Sequence, residues 1–454
     1  MVFRISKRYF ISKIFLCVVL ISLPFEGFVI FSNSIFSISI PLFFSILLLF
    51  TAILEIICKG RIVIDQLYSI VFLILIAGTL TGFNVINKDM SLLEYIKSFI
   101  YIFFLSMFFI FVSQIQLSER EIKYFLLIQL ILGSIIAIIG IYQAIANNSN
   151  LLPDLYFKLN SPVTGTQRAS LFGTYERPSS VFAEPSWFGH YLIYYLFIGM
   201  GLLKEKHNRQ YIRSLLFIIF IGIILSVSIG TYLLMVFVLL VFYITYYYKI
   251  QKKLIFRNIN KLFIATFALI LIFSNTFGLK IWSSLLYRLY TINRSFSLYI
   301  KNPVLFTNLD SITMRLSLSF SGLVLWLQSP LSFLFGWGLG NYLLAFKRYA
   351  GFTFGYSGIG WVNILVEQGI VGFIFYFLFF IIFIKDIFYI LPRVKNNFHL
   401  HYINISLYLT ILCFFFSSFT GGFGFDRSLG IWVSLTYIRI VYRYLMLNIY
   451  KYSL

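Results

Sequence analysis

Apolar runs of about 17–25 residues, the length that crosses a bilayer as a helix, recur along the whole chain with short polar segments between them. The pattern predicts twelve spans, at 14–31, 38–57, 63–82, 95–113, 122–145, 185–203, 212–229, 231–248, 262–278, 362–384, 402–419 and 429–447. No polar stretch is long enough to form a separate soluble domain. The expected fold is therefore one all-α polytopic membrane domain over residues 1–454. The first run follows Arg4, Lys7, Arg8 and Lys13, as in a signal peptide. No small-residue cleavage site follows it, so it reads as a retained first helix.

Charge orients the spans. With the N-terminus inside, the cytoplasmic segments hold the tight basic clusters. These are Lys204, Lys206, Arg209 and Arg213; Lys249, Lys252, Lys253, Arg257 and Lys261; Lys385, Arg393 and Lys395; and Arg439, Arg443 and Lys451. This is the positive-inside pattern, and it puts both termini in the cytoplasm. A break at Gly230-Thr231 sets the parity of every later span. Two outer loops, 147–183 and 279–361, are longer than helix connections require, and long ordered loops are usually functional. The second contains an amphipathic stretch, Ser311 to Leu331, expected to lie along the outer membrane surface. Arg315 and the short run to Pro330 argue against a thirteenth span there.

A chain of 454 residues would ordinarily suggest two or three soluble domains, but a hydrophobic content of 60% and a mean hydropathy of +0.92 overrule that. The net charge of +21 resembles that of a nucleic-acid binder until the charges are located. Most lie between apolar runs, so topology explains them and no nucleic-acid partner is expected. Basic residues nevertheless persist in the outer loops: Lys158, Arg168 and Arg177 in the first, and Lys280, Arg288, Arg294, Lys301, Arg315, Lys347 and Arg348 in the second. The acids there are few, chiefly Asp154, Glu176 and Asp310. Such an excess suggests an anionic ligand; the plainer alternative is that long loops translocate whatever their charge. Cys17, Cys58 and Cys413 lie in or at the ends of apolar runs without metal-ligand spacing, and no disulfide is expected.

There is no phosphate loop, dinucleotide fingerprint or kinase motif set. The histidines are scattered at 190, 207, 399 and 401. A site without cofactor or metal is expected, acting on a substrate that is already activated. Four segments could carry chemistry. The first, Arg177 to His190, gathers an arginine, Glu184, two prolines and His190; Glu184-Pro185 reads as a helix start. An ion pair that tidies the helix entrance is the bland reading. The second is Asp310 to Arg315. The third, Phe335-Gly-Trp-Gly-Leu-Gly-Asn-Tyr342, has glycines that permit tight turning and close approach of backbone N–H groups to a ligand. In the fourth, Asn363 to Gly372, Asn363 and Glu367 share a helix face. An acid there is costly unless paired or wet, and so points to function. Gly369 and Gly372 read as helix-packing residues.

Together these segments resemble the superfamily of bacterial O-antigen and capsule repeat-unit polymerases (Wzy-type) and O-antigen ligases. Arg177-Pro-Ser-Ser-Val-Phe-Ala-Glu184-Pro185 resembles its Arg-x-x-Gly-x-x-x-(Glu)-Pro-Asn element, with Ser180 where Gly is common. Ser226-Val-Ser-Ile-Gly230 resembles Ser-x-Ser-Arg-Gly, with Ile229 replacing the arginine. Arg315 through Gly338-Leu-Gly340-Asn341 resembles the Arg…Trp…Pro-Leu…Gly-x-Gly-x-Phe element. Asn363-Ile-Leu-Val-Glu367-Gln-Gly369 resembles, with looser spacing, the His-Asn-x-x-Leu-x-x-x-x-Glu-x-Gly helix. The resemblance covers about 175–375, and the rest only by hydropathy. Ligases carry a histidine ahead of the last element; here Gly360-Trp361-Val362 stands there, which favours a polymerase. Some polymerases carry Arg-x10-Gly repeats, and Arg177 to Gly189 and Arg348 to Gly360 are each one residue longer.

The resemblance implies a donor glycan joined through pyrophosphate to undecaprenol, a lipid-linked acceptor, and an enzyme of the bacterial inner membrane with its site facing the periplasm. A polysaccharide chain-length regulator is a candidate partner. It further implies that Arg177 and Arg315 bind pyrophosphate. Glu184 is then the first choice of base, Glu367 the second and His190 the third. Arg168, Arg288, Arg294, Lys347 and Arg348 would hold donor or acceptor phosphates, with Asn341 and Asn363 also in the binding set. Trp187, Trp337, Tyr342 and Trp361 would stack on sugars, although an interfacial aromatic belt explains them equally well. A ligase, a lipid-linked glycan flippase and an ion-coupled transporter are the rival readings.

Overall fold

The computed structural model describes residues 9–32, 37–59, 62–149, 152–157, 170–172, 175–182, 184–203, 209–249, 311–350, 359–394, 397–420 and 427–452. The chain runs α1 (Phe10–Ser22), a 3-10 turn (Leu23–Phe25), β1 (Val29–Ser32), β2 (Ser37–Ser39), α2 (Ile40–Lys59), α3 (Gln66–Asn87), α4 (Leu92–Val112) and α5 (Glu119–Ser149). It continues with β3 (Ser170–Phe172), β4 (Tyr175–Arg177), α6 (Pro185–Met200), α7 (Arg209–Leu225) and α8 (Ile229–Lys249). After residue 310 come α9 (Ser311–Trp326), α10 (Pro330–Phe335), α11 (Tyr342–Ala350), α12 (Gly360–Ile390), α13 (Phe398–Thr420) and α14 (Leu429–Tyr452). The only strands among the described residues form two antiparallel ribbons, β1-β2 and β3-β4.

Among the described residues six helices, α2, α3, α4, α5, α12 and α13, are long and apolar enough to cross a bilayer. The chain is an all-α membrane protein. Every expected span has a helix at its position except 262–278, which lies outside the described residues. Burial sorts the helices: 28% of the apolar window of α2 is buried against 78% of that of α13. So α2 turns large apolar side chains such as Phe50 and Ile57 outward, while α13 packs at the centre with α6, nearly all of which is buried.

Two expected boundaries are corrected. The first helix stops before Glu26, because the apolar residues Val29 to Phe31 that follow it leave the helix and enter β1. Glu26 therefore stands beyond the first span. The break between α7 and α8 lies at Ser226–Ser228, not at Gly230-Thr231. Val227 takes the turn with φ 42°. The two serines satisfy the helix ends: Ser226 Oγ donates to the Ile223 carbonyl at 2.7 Å, and Ser228 Oγ accepts from Thr231 N–H at 3.4 Å. Within 311–331 lie α9 and the start of α10. Ser329 and Ser332 form a capping box that starts α10 with Pro330 at its first position.

One end of the bundle is tied by charges. Arg439 of α14, 4% exposed, reaches Asp386 of α12 at 3.1 Å and Asp65, which also caps α3 through Leu67 N–H at 3.0 Å. Lys13 of α1 pairs with Glu121 of α5 at 2.9 Å. The connections with the chemistry lie at the opposite end.

Candidate functional site

The residues at that opposite end are organised by a break in α12. Gly369 has φ 66° and ψ −169°, and Gly336, just after α10, has φ 71° and ψ −164°. Only glycine populates that region without strain. The two lock together. A Cβ on Gly369 would stand 2.2 Å from the Leu334 carbonyl oxygen, and one on Gly336 would stand 2.3 Å from the Glu367 carbonyl carbon. A broken helix leaves carbonyls without partners. Here Trp337 N–H donates to Val366 O at 2.7 Å and Gly338 N–H to Glu367 O at 3.0 Å. Asn84 of α3 fastens the same loop through Leu331 O (2.9 Å) and Gly336 O (2.6 Å). This corrects one expectation and extends another: two N–H groups of the Gly-rich segment, those of Trp337 and Gly338, serve α12 instead of facing a ligand, and Gly369 breaks the helix as well as packing closely, here on α10.

The break carries Glu367, which is fully buried. Its carboxylate pairs with Arg427, just ahead of α14, and Arg427 also donates to Ser98 Oγ of α4 at 3.3 Å. Removing one partner of a buried pair typically costs about 3–5 kcal/mol, because it strands the other charge. Next to Glu367, the Gln368 carboxamide is 1% exposed, and among the described residues neither its oxygen nor its nitrogen has a hydrogen-bond partner. Asn363, one turn before Glu367, is buried too. Glu26 and Arg427 both act electrostatically on Tyr101 of α4, and Glu26 acts on Tyr191 of α6. Burial pushes the Glu26 carboxyl up to about 7.

The Arg177 segment forms a second cluster. Arg177 is half-buried and ends β4, opposite Ser170 in the ribbon. Burial raises the Tyr175 phenol and the nearby Arg177 guanidinium pulls it down, while the phenol donates to Leu225 O at 2.9 Å. Ser180, at the position where glycine is common in the resembling element, has φ 52°. The turn is held by Gln143 of α5, which accepts from Ser179 N–H (3.1 Å) and Ser180 N–H (2.6 Å) and donates to Ser180 O (3.2 Å) and Leu155 O (3.0 Å). Gln143→Leu keeps the bulk and removes all four bonds. It should speed proteolysis within 150–184 several-fold and lower the melting temperature by only a few degrees. Unchanged proteolysis would show that the turn holds without it.

Pro185 opens α6 as expected, with Glu184 in extended conformation before it. Glu184 is exposed and accepts from Ser186 Oγ at 3.1 Å. His190 is 4% exposed, and its Nδ1 lies 2.6 Å from Ser186 O. A carbonyl can only accept, so Nδ1 carries the proton and Nε2 is the basic nitrogen of the neutral ring. Gly189 brings α6 against Thr231 and Ser226, so the helix that the first resembling element opens touches the second element. A cavity of about 30 Å3 lies between His190, Tyr191, Tyr194, Cys413 and Ser428. That volume suits water and is too small for a sugar ring. Gly430 of α14 faces the Tyr191 hydroxyl and joins this cluster to the Glu367 side.

The remaining candidates divide by what they touch. Asn341 is buried and spent within the fold: it accepts from Ser91 N–H (3.0 Å) and donates to Ser91 O and Leu339 O. Tyr342 is buried and donates to Leu318 O at 3.4 Å. Trp361 is ringed by Phe373, Phe377, Phe380, Phe415 and Phe419, which makes it a core residue and not a sugar platform. Trp337 donates to Leu325 O at 2.9 Å, with Lys88 over its ring. Trp187 is half-buried against the core. Lys347 and Arg348 are exposed on α11, and Arg348 donates to Lys88 O. Arg168, Arg288, Arg294 and the side chain of Arg315 lie outside the described residues. Among the described residues no group of three or more His, Cys, Asp or Glu could hold a metal.

Sequence reasoning missed Arg427, Glu26 and Gln368. Arg427 sits in the short connection between the last two helices, and only the long loops drew attention. Glu26 was hidden inside an apolar run. No protein-family model and no curated protein sequence matches the chain.

Proposed function

We propose that this chain is a glycosyltransferase that polymerises undecaprenyl-pyrophosphate-linked oligosaccharide repeat units into O-antigen or capsular polysaccharide. In this reading twelve spans cross the bacterial inner membrane, with both termini cytoplasmic and the Glu367 end facing the periplasm. One observation carries it. The segments that resemble the polymerase and ligase superfamily, far apart in sequence, meet in pairs at one end of the bundle. The helix opened by the Arg177–Pro185 element packs through Gly189 on Ser226 and Thr231, at the Ser226–Gly230 element, and the Gly336–Gly338 loop interlocks with Glu367–Gly369.

The chemistry follows from the residues. Arg177, with Arg315, binds the diphosphate and stabilises the charge that grows on it, since guanidinium matches phosphate oxygens in pairs. An acceptor sugar hydroxyl attacks the anomeric carbon from the opposite face. The new C–O bond forms as the bond to diphosphate breaks with its electron pair. The hydroxyl proton passes to a base: Glu184 at the head of α6, Glu367 or His190 Nε2. Configuration inverts, and undecaprenyl pyrophosphate leaves.

A flippase is the second reading, because carriers use broken helices with buried charge. Depth opposes it. From Ile370 to Ile390 α12 runs on for roughly 31 Å, already the thickness of a hydrocarbon core. The break then lies near the interface and not at mid-membrane. The test is purified full-length protein in detergent with a lipid-linked repeat unit and no nucleotide. Polymerase activity gives a ladder spaced by one repeat and matching release of undecaprenyl pyrophosphate. Translocation of the repeat across vesicles without any ladder would replace this reading with the flippase.

A further inference from the structure

We infer that Arg427 is a further diphosphate-binding residue, and that Glu367 occupies it until the headgroup arrives. This rests on the reading above, in which the ligand is a prenyl diphosphate. The pair is lopsided. Glu367 is fully buried, whereas the Arg427 side chain is 23% exposed, so the cation stands at the opening and its counter-ion behind it. An anion can reach Arg427 from the open side without crossing the carboxylate.

The surroundings favour an anion there. Arg427 immediately precedes Ser428, whose hydroxyl and carbonyl receive Ile431 N–H and Trp432 N–H as α14 begins. The positive end of that helix dipole adds to the guanidinium. The Ser98 hydroxyl is already in contact with it. Gln368, 1% exposed at the same helix break with neither amide atom hydrogen-bonded among the described residues, turns its Oε1 toward Gly372, one turn further along α12, so the polar group beside the guanidinium is Ser98 and not this carboxamide. Among the described residues, Glu26, Tyr101 and Tyr191 are charged or titratable groups nearby.

A carboxylate and a diphosphate compete for one guanidinium, and the competition has a sign. Removing the charge of Glu367 should tighten diphosphate binding, whereas a purely structural ion pair would give no gain. The experiment is binding of farnesyl pyrophosphate and, separately, inorganic pyrophosphate to the full-length protein in detergent, with melting temperature recorded for each variant. Glu367→Gln should tighten farnesyl pyrophosphate roughly tenfold and Arg427→Gln should weaken it by at least as much. Arg427→Lys should fall between wild type and Arg427→Gln, keeping charge but losing the paired geometry. If Arg427→Gln does not fold, the double variant Glu367→Gln/Arg427→Gln, with no stranded charge, takes its place. It should bind no better than wild type.

Farnesyl pyrophosphate bound equally well by wild type and by all variants would overturn the inference and leave the polymerase reading standing. Binding of inorganic pyrophosphate alone, dependent on Arg427, would keep the anion site and remove the lipid donor. No binding of either probe would remove both.

Discussion

Gly369→Ala should leave little correctly assembled protein. Alanine at φ 66° and ψ −169° is strained by about 1–3 kcal/mol before any contact is considered. Its Cβ would also stand 2.2 Å from Leu334 O and 2.5 Å from Phe335 N, and these are backbone atoms with no rotamer to escape into. Straightening the helix does not relieve this, because the Gly336 loop occupies the space and receives Val366 O and Glu367 O. Loss of the interlock would free Glu367 from its position opposite Arg427. Size-exclusion profiles and thermal unfolding in detergent would read the effect, expected as aggregation or a melting temperature lowered by ten degrees or more. A Gly369→Ala protein that melts with wild type would mean that α12 runs unbroken and that the geometry around Glu367 has another cause.

Arg177→Ala carries the second large effect, on turnover and not on folding. The residue is half-buried at the edge of a two-stranded ribbon, and the turn after it is held by Gln143. Stability should therefore change little. In the polymerase reading, losing one electrostatic contact to the leaving diphosphate costs about 3 kcal/mol, or roughly a hundredfold in rate. Long polymer should disappear while single lipid-linked repeats accumulate. Arg177→Lys should recover part of the rate, since a point charge replaces a paired donor. Arg315→Ala is expected to behave in the same way. Full-length glycan from Arg177→Ala at normal membrane levels would take Arg177 out of the site.

The helices were legible because a bilayer demands a run of some twenty apolar residues, a signal that survives without tertiary context. What failed was punctuation. Glu26 vanished into an apolar run because Val29 to Phe31 are as hydrophobic in a strand as in a helix. Gly230 attracted the α7-α8 break, yet the hydroxyls of Ser226 and Ser228 make it. Within the site, Glu184-Pro185 was readable as a helix start from local rules, and Glu367 from the cost of an acid at a span. Arg427 was not, because its pairing is tertiary, across sixty residues. The Gly-rich loop was misread for the same reason: its turn is local, but the carbonyls it serves belong to α12.

The interlock and the ion pair also differ in when they can form. The loop at 336–338 leaves the ribosome before Gly369, so Val366 O and Glu367 O meet waiting donors. Arg427 emerges sixty residues after Glu367. A carboxylate shut away from water without its counter-ion is too costly to tolerate. The bundle therefore cannot seal over an ionised Glu367 until Arg427 has been made, and a chain stopped short of that residue would be left with this end agape.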